Sequence, residues 1–170
     1  TRTISSPISI TACMLKPPVL TKLEKIVGRA NLFTDAEELV VYSYDATRAE
    51  SLPWAVARPA TAREVSGILL LANRERFPVV PRGAGTGMSG GSVPASGGLV
   101  LSFERMNRIL EIDEQNRMAV AEPGVITGDF QREVEARRGV PGGVGEAGDL
   151  LVGRVEADVG QLRDAGGERL

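Results

Sequence analysis

The chain carries, at residues 81–92, the run Pro81-Arg82-Gly83-Ala84-Gly85-Thr86-Gly87-Met88-Ser89-Gly90-Gly91-Ser92. Glycine adopts positive φ and has no Cβ, so closely spaced glycines let successive backbone N–H groups point into one concavity. The Thr86 and Ser89 hydroxyls, and the Arg82 guanidinium at the mouth of the run, add donors that suit a pyrophosphate. The run therefore predicts a loop that holds phosphate through its main chain. The alternative is a ligand-free connection with Arg82 as a solvated charge, which is less favoured because long loops in compact domains are usually functional or disordered.

Two well-known phosphate-binding motifs are excluded by what surrounds this glycine loop. The spacing Gly85-x-Gly87-x-x-Gly90 matches a Rossmann fingerprint, but that motif opens straight into a helix. Here Pro94 and the pair Gly97-Gly98 follow, and the next ordered segment, 99–103, has the pattern of a strand. A Walker-type loop is excluded because no Lys-Ser or Lys-Thr follows the glycines. The sequence thus predicts an anion site built from loop amides without a helix dipole.

A second motif, Glu122-Pro123-Gly124-Val125, lies downstream of a predicted β-hairpin. Together with residues 81–87 and 89–91, it makes the segment from about 52 to 139 resemble the FAD-binding domain of the p-cresol methylhydroxylase/vanillyl-alcohol oxidase superfamily. Within that superfamily the segment is most similar to the FAD-linked subunit of glycolate oxidase and to the bacterial D-lactate dehydrogenases. The resemblance implies an α+β fold, a truncated FAD-binding domain with its first β-α-β subdomain followed by a hairpin and a helix.

The same resemblance implies the function and the site. It implies a flavoprotein that contributes to an oxidoreductase acting on a 2-hydroxy acid such as glycolate or D-lactate, with a quinone or another carrier as electron acceptor. Its implied FAD-binding residues are Arg82, Gly83, Ala84, Gly85, Thr86, Gly87, Ser89, Gly90, Gly91, Pro123, Gly124 and Val125. Pro123 and Gly124 have a simpler alternative role, to end a strand and form a turn.

Several functional alternatives stay open at this point. The chain is either a fragment without the substrate half, inactive alone, or an FAD-carrying subunit completed by another polypeptide. A different flavin oxidoreductase of the same superfamily and a non-functional remnant of a damaged gene are further alternatives. No catalytic residue is assigned, because the substrate-binding half of the resembled proteins has no counterpart in this sequence.

The amino-acid composition limits which binding partners and which kinds of cofactor attachment can be expected. Twenty Lys and Arg residues against 22 Asp and Glu residues give a net charge of −2, without a basic run, which argues against nucleic acid as a partner. The chain has no histidine, so it offers neither a histidyl flavin tether nor the usual neutral-pH base, and a metal site is not expected. FAD is therefore expected to bind non-covalently, unless Cys13 or a tyrosine tethers it. The single cysteine and the lack of a transmembrane or signal segment predict a cytoplasmic location.

The remaining charged candidates have plain structural alternatives. Arg105 and Arg108 are considered as clamps for a substrate carboxylate, but solvated charges are favoured. Glu111 and Asp113 are considered as an acid–base pair, but the solvent-facing side of a hairpin is favoured. The acids Glu104 and Glu122 have no partner that the sequence reveals.

Local patterns predict the order of the elements. The first predicted helix begins at Pro17 and ends at Gly28, and its apolar face contains Leu20, Leu23, Ile26 and Val27. A short element follows, for which Asp35 and Glu38 form a capping signature. A capping box at Thr61 and Glu64 begins the clearest helix, whose buried face is predicted to contain Val65, Ile68, Leu69 and Ala72. Three strands are predicted at 54–57, 77–80 and 99–103, the second parallel to the first. A hairpin of 108–113 and 118–121 follows. The last predicted helix is 127–138, with Phe130, Val134 and Ala136 facing inward.

The chain divides into four predicted regions. Residues 1–13 are a non-native or disordered leader, 14–50 an N-terminal helical segment, 51–139 the partial FAD-binding domain, and 140–170 a glycine-rich tail. From residue 139 onward only nine residue types occur, all with codons that can begin with G or C. This restriction suggests a frameshifted tail, with a natural Gly-rich linker as the alternative.

Overall fold

The computed structural model describes residues 15–47 and 49–138. The leader assigned to 1–13 and the frameshifted tail assigned to 140–170 lie outside these residues and stay predictions.

A four-stranded sheet forms the centre of the fold. Its strands are β1 (Leu32–Phe33), β2 (Ala55–Ala57), β3 (Val79–Arg82) and β4 (Leu99–Ser102), in the order β1-β2-β4-β3. Both β2 and β3 run parallel to β4, while β1 is antiparallel to β2. Every residue of β2 and β4 is buried, as expected for parallel strands covered on both faces. The predicted β-α-β arrangement is confirmed, with β4 inserted between the two strands that the helix connects.

The connecting helix, α3 (Ala62–Glu75), begins at the predicted capping box. Thr61 Oγ1 accepts the backbone N–H of Glu64 at 3.2 Å, and Glu64 Oε2 accepts the backbone N–H of Ala60 at 2.8 Å. Ile68, Leu71 and Ala72 form the buried face at i, i+3 and i+4. The prediction of Leu69 in that face is wrong. Leu69 is 47% exposed, because a step of one residue along the helix turns it away from the sheet.

The N-terminal helix α1 (Pro17–Val27) packs against α3 and shares one hydrophobic core with the sheet. Its buried residues are Val19, Leu23 and Val27, and it ends at Gly28 as predicted. The short helix α2 (Ala36–Leu39) follows. The capping signature expected there is not realised, because Asp35 occupies the N-cap position without a side-chain capping hydrogen bond.

The remaining elements are two 3-10 helices (Arg29–Asn31 and Val40–Tyr42), a hairpin and a helix. Strands β5 (Ile109–Asp113) and β6 (Met118–Ala121) pair antiparallel, and α4 (Thr127–Arg138) has the predicted bounds. Val134 is buried and Phe130 half-buried, whereas Ala136 is exposed, so the inward placement of Ala136 is wrong. No helix within 15–47 and 49–138 combines the length and the apolar composition that a membrane span requires.

Candidate cofactor-binding site

The glycine loop leaves the carboxyl end of β3 and returns to the sheet as β4 without entering a helix. Gly85 and Gly90 have φ values of +72° and +75°, which L residues with a Cβ rarely adopt. The backbone N–H groups from Gly83 to Ser89 donate no hydrogen bond to any residue that the structure describes. This run of consecutive free donors leaves the loop equipped to bind an acceptor-rich ligand.

The Arg82 side chain does not lie at the mouth of the loop, where the sequence predicts it. Its side chain is buried, with 7% of the residue exposed, and it points beneath the loop instead of standing at the mouth. Nη1 donates to the carbonyl oxygen of Tyr44 at 2.7 Å, and Nη2 donates to that of Val41 at 3.3 Å. The local pattern misses this because the acceptors lie about forty residues earlier in the chain. The guanidinium binds main-chain carbonyl groups of the protein.

Residues 41–47, which we call the bracing segment, contact the glycine loop a second time. The backbone N–H of Ala46 donates to the carbonyl oxygen of Gly87 at 3.2 Å. Asp45 is buried beside the same part of the loop. Hydrogen bonds from the Thr47 hydroxyl and N–H, with smaller contributions from the Gly90 N–H and the Arg82 guanidinium, lower the pKa of Asp45. Charged and polar groups of the bracing segment and Arg82 thus pack against the loop, whose amides from Gly83 to Ser89 donate to no described residue.

The Pro123-Gly124 turn is built by close backbone packing. Gly124 N–H donates to the carbonyl oxygen of Met106 at 2.8 Å, and Val125 N–H donates to that of Glu122 at 3.2 Å. A Cβ on Gly124 would overlap the carbonyl oxygen of Phe103. Only glycine therefore fits this position without movement of the backbone.

An ion pair supports this turn from the hairpin side. Glu122, whose side chain is 8% exposed, accepts the Arg108 guanidinium at Oε1 (2.7 Å) and the Arg108 backbone N–H at Oε2 (2.9 Å). Arg108 thereby lowers the pKa of Glu122. Glu122 thus has the partner that the sequence did not reveal, and Arg108 is engaged with it. Arg105 also has a structural contact, since it donates to the carbonyl oxygen of Arg58 at 2.8 Å.

A cavity of about 340 Å³ joins the two predicted motifs. It brings Gly83 and Ala84 of the glycine loop together with Gly124 and Val125 of the turn, and the carbonyl oxygen of Pro123 lies 3.9 Å from where a Cβ of Gly83 would be. The other lining residues are Glu104, Asn107, Ile109, Ile126 and Asp129. The other predicted residues do not line this cavity; they are Arg82, Gly85, Thr86, Gly87, Ser89, Gly90, Gly91 and Pro123.

Glu104 is one of the lining residues to which sequence reasoning assigned no site role. Its Oε1 accepts the Tyr42 hydroxyl at 2.8 Å and the Ser102 hydroxyl at 2.9 Å. Burial, with a further contribution from Glu104, raises the pKa of Tyr42 to about 12. The available signal was its position two residues after β4, because ligands of open parallel sheets bind at the carboxyl ends of strands.

The acid pair considered in the hairpin does not form a catalytic couple. Glu111 is exposed. Asp113 accepts the backbone N–H of Asn116 at 3.0 Å and its side-chain amide at 2.6 Å, which lowers the pKa of Asp113. Asp113 therefore stabilises the turn between β5 and β6.

A helix-free glycine loop beside a parallel sheet, joined through a cavity to a Pro-Gly turn, defines a domain that binds a phosphate-containing cofactor. The family model described as "FAD binding domain" matches residues 53–153, and the chain belongs to that family. The expected family, the α+β fold and the FAD cofactor are thereby confirmed.

Sequence and structural relatives agree with this assignment. The chain is 46% identical over 125 residues to glycolate oxidase subunit GlcD of Bacillus subtilis (strain 168), covering 73% of this chain and 27% of that protein. It is 37% identical over 123 residues to D-2-hydroxyglutarate dehydrogenase of Stutzerimonas stutzeri (strain A1501), covering 72% of this chain and 26% of that protein. The crystal structure of p-cresol methylhydroxylase with substrate bound superposes with a TM-score of 0.63 at 24% identity, over 71% of this chain and 24% of that one, which shows the shared fold. The chain spans about a quarter of the length of these relatives.

The residues present fit FAD. A pyrophosphate offers only acceptors, and the loop offers a run of unpaired N–H donors. At Gly87 and Gly90 an added Cβ would meet no atom within 4 Å, so a ligand can approach the bare backbone there. The cavity beside Gly83 and Ala84 adds room for a further part of the cofactor.

Proposed function

We propose that this chain binds FAD non-covalently, as part of an oxidoreductase that acts on a 2-hydroxy acid such as glycolate or D-lactate. The observation that carries the proposal is the run of unpaired amides from Gly83 to Ser89, next to a cavity shared with the Pro-Gly turn. Non-covalent binding is supported by the absence of histidine from the sequence.

The proposed roles divide along the loop. The backbone N–H groups of Gly83, Ala84, Gly85, Thr86 and Gly87 bind the pyrophosphate, and Ser89, Gly90 and Gly91 complete its enclosure. Pro123, Gly124 and Val125 contact another part of the cofactor across the cavity. Arg82 supports the loop from beneath instead of binding phosphate directly.

When bound, FAD supplies the redox chemistry, because its ring system accepts the two electrons of an alcohol oxidation. The contribution of this chain is to position the cofactor. The substrate class is supported by the relatives, whose names refer to glycolate and D-2-hydroxyglutarate, both 2-hydroxy acids. Residues that bind the acid and remove its hydroxyl proton are proposed to lie outside the described residues or on a partner.

Assembly with a second polypeptide is part of the proposal. It is supported by the name of the Bacillus subtilis relative, a glycolate oxidase subunit. Co-purification of a second chain with the tagged protein from its native host would support an FAD-carrying subunit, and purification as a lone chain would argue against it. A cytoplasmic location is proposed on the cysteine usage alone.

The test is reconstitution of the full chain with FAD, followed by gel filtration and thermal unfolding. A ligand that binds only the folded state stabilises it by about 2.7 kcal/mol at a hundred times its Kd. We expect a yellow protein with a raised Tm. Because the loop is proposed to bind the pyrophosphate, ADP should also raise the Tm, whereas riboflavin, which has no phosphate, should not. A colourless protein with an unchanged Tm in FAD would overturn the proposal.

A further inference from the structure

Arg82 is placed between two segments that are distant in sequence. Its guanidinium donates to the carbonyl oxygens of Tyr44 and Val41, in the bracing segment, and lies 5.9 Å from the ring centroid of Tyr42. Its own carbonyl oxygen accepts the backbone N–H of Phe103 at 3.0 Å, which ties it to the end of β4. Burying a cation is costly unless its hydrogen-bonding groups are satisfied, and bonds from a charged donor are stronger than neutral ones. The side chain is therefore fixed in place.

The glycine loop passes directly over this fixed group. A Cβ on Gly85 would overlap Nη2 of Arg82, and Gly85 also has positive φ. The loop can therefore follow this path only where residue 85 has no side chain. Two residues farther along, the carbonyl oxygen of Gly87 accepts the N–H of Ala46. The loop and the bracing segment thus meet at the guanidinium, at Gly87 and at Gly90, whose N–H donates to Asp45.

We propose that Arg82 is a positioning residue of the FAD site. It fixes the path of residues 83–89 by joining the loop to the bracing segment, so that the free amides form one preorganised surface without any contact of the guanidinium with phosphate. This inference rests on the proposed function. A loop held in one conformation before binding loses less conformational entropy on binding, so FAD affinity depends on Arg82 through the loop.

The test measures the loop in the protein without FAD. Two amides report on it, namely Ala46 N–H, bonded to Gly87, and Val93 N–H, bonded to the carbonyl oxygen of Gly90 at 3.1 Å. Hydrogen exchange at these amides is compared in the wild type and in Arg82→Met, which keeps an aliphatic stem and removes the guanidinium. We expect roughly tenfold faster exchange at both amides, because two charge-assisted hydrogen bonds are lost, and a weaker affinity for FAD.

The matched control is Arg63→Met. Arg63 is exposed on α3 and forms no ion pair with a described residue, so both amides and FAD affinity should be unchanged. Leu99 N–H, bonded to the carbonyl oxygen of Pro78 at 2.9 Å, reports whether the sheet remains folded. If Arg82→Met loses protection at Leu99, Arg82→Lys and Gly85→Ala replace it. The single ammonium of lysine does not reproduce the two-pronged guanidinium, and an alanine Cβ displaces it.

Each outcome decides the question. Faster exchange at Ala46 and Val93 with protection of Leu99 retained supports the positioning role. Unchanged exchange in these variants overturns it, and a simultaneous loss of FAD affinity would then indicate direct phosphate contact. If the wild type does not bind FAD, the proposed function fails, while exchange in the free protein still tests whether Arg82 holds the loop.

Discussion

Gly124 lies so close to Phe103 that a Cβ on the glycine would overlap the phenylalanine carbonyl oxygen, and it would also lie 2.8 Å from the carbonyl oxygen of Met106. Both obstacles are backbone atoms just after β4, so neither moves away at low cost. The Pro-Gly turn can therefore reach the cavity wall only because residue 124 is glycine. This contact joins the second motif to the sheet that carries the first.

Gly124→Ala is expected to destabilise the protein by about 1–3 kcal/mol, the usual cost of overpacking, and to weaken FAD binding by displacing the turn. Chemical denaturation and FAD titration measure the two effects. Gly128→Ala is the matched control. Gly128 lies in α4, where an added Cβ meets no atom within 4 Å, so the change should be neutral or stabilise by up to about 1 kcal/mol. Equal stability of the two variants would contradict the close packing of Gly124.

Gly87→Ala tests the loop surface itself. An added Cβ at Gly87 meets no atom within 4 Å in the free protein, so its free energy of unfolding should change by less than about 0.5 kcal/mol. In the FAD complex the methyl group would occupy the space from which the phosphate reaches the backbone. We expect FAD affinity to fall roughly tenfold, equivalent to the loss of one hydrogen bond. Unchanged affinity measured by isothermal titration calorimetry would place the pyrophosphate away from Gly87.

The Glu122–Arg108 ion pair predicts an acid-dependent contribution to stability. Because Arg108 holds the pKa of Glu122 below its ordinary value of 4.5 in the folded protein, the contribution is fully present above pH 4.5 and is lost as the pH falls through the lowered value. Glu122→Gln should therefore be less stable than the wild type at pH 7, by about 1 kcal/mol. This difference should shrink below pH 4.5.

Urea denaturation at a series of pH values measures this difference. Glu111→Gln, a change to an exposed residue of β5, is the control and should track the wild type. A difference between wild type and Glu122→Gln that stays constant down to pH 3 would rule out the ion pair as its source.

The raised pKa of Tyr42 predicts a contribution to stability that is lost as the pH rises, opposite to that of Glu122. Burial, with a smaller contribution from the hydrogen bond to Glu104, raises the pKa of Tyr42 from 10.0 to about 12. The stabilisation is present below pH 10 and is lost as the pH rises toward 12. In Tyr42→Phe the hydroxyl donor is missing, so this variant should be about 1 kcal/mol less stable at pH 7 and should lose less stability between pH 10 and 12.

Ultraviolet absorbance of the phenolate measures this ionisation. The phenolate absorbance that the wild type has and Tyr42→Phe lacks belongs to Tyr42, and it should titrate near pH 12 in the folded protein. Tyr44→Phe provides the comparison for the other tyrosine. If the Tyr42 phenolate of the wild type instead forms near pH 10, Tyr42 is not held against Glu104.

Much of the fold was readable from local signals. The capping box at Thr61 and Glu64 marked the start of α3, and Pro94 with the glycines that follow excluded a helix after the loop. These features depend on hydrogen bonds and steric limits within a few residues of the chain, so they act in the same way wherever the segment lies. Leu69 shows the limit of such reasoning, because apolar character alone does not say which helix face meets the sheet.

The direction of the Arg82 side chain illustrates what local signals cannot supply. Its acceptors lie 38 and 41 residues earlier in the chain, and Tyr42 is 62 residues from its partner Glu104. The insertion of β4 between β2 and β3 is equally a matter of which distant segments pair.

By itself the sequence determined the helix-free glycine loop and the β-α-β unit, because glycine spacing, caps and hydrophobic periodicity constrain the backbone locally. The FAD-binding family followed from the resemblance that the glycine loop and the Pro-Gly motif carry. Only the tertiary structure decided that the Arg82 guanidinium binds the carbonyl oxygens of Tyr44 and Val41, that Glu104 lies in the cavity wall, and that Gly124 packs on Phe103. The physical reason is that a buried polar group must find its partner among whatever segments the folded chain brings to it, and that choice is settled only when the core closes.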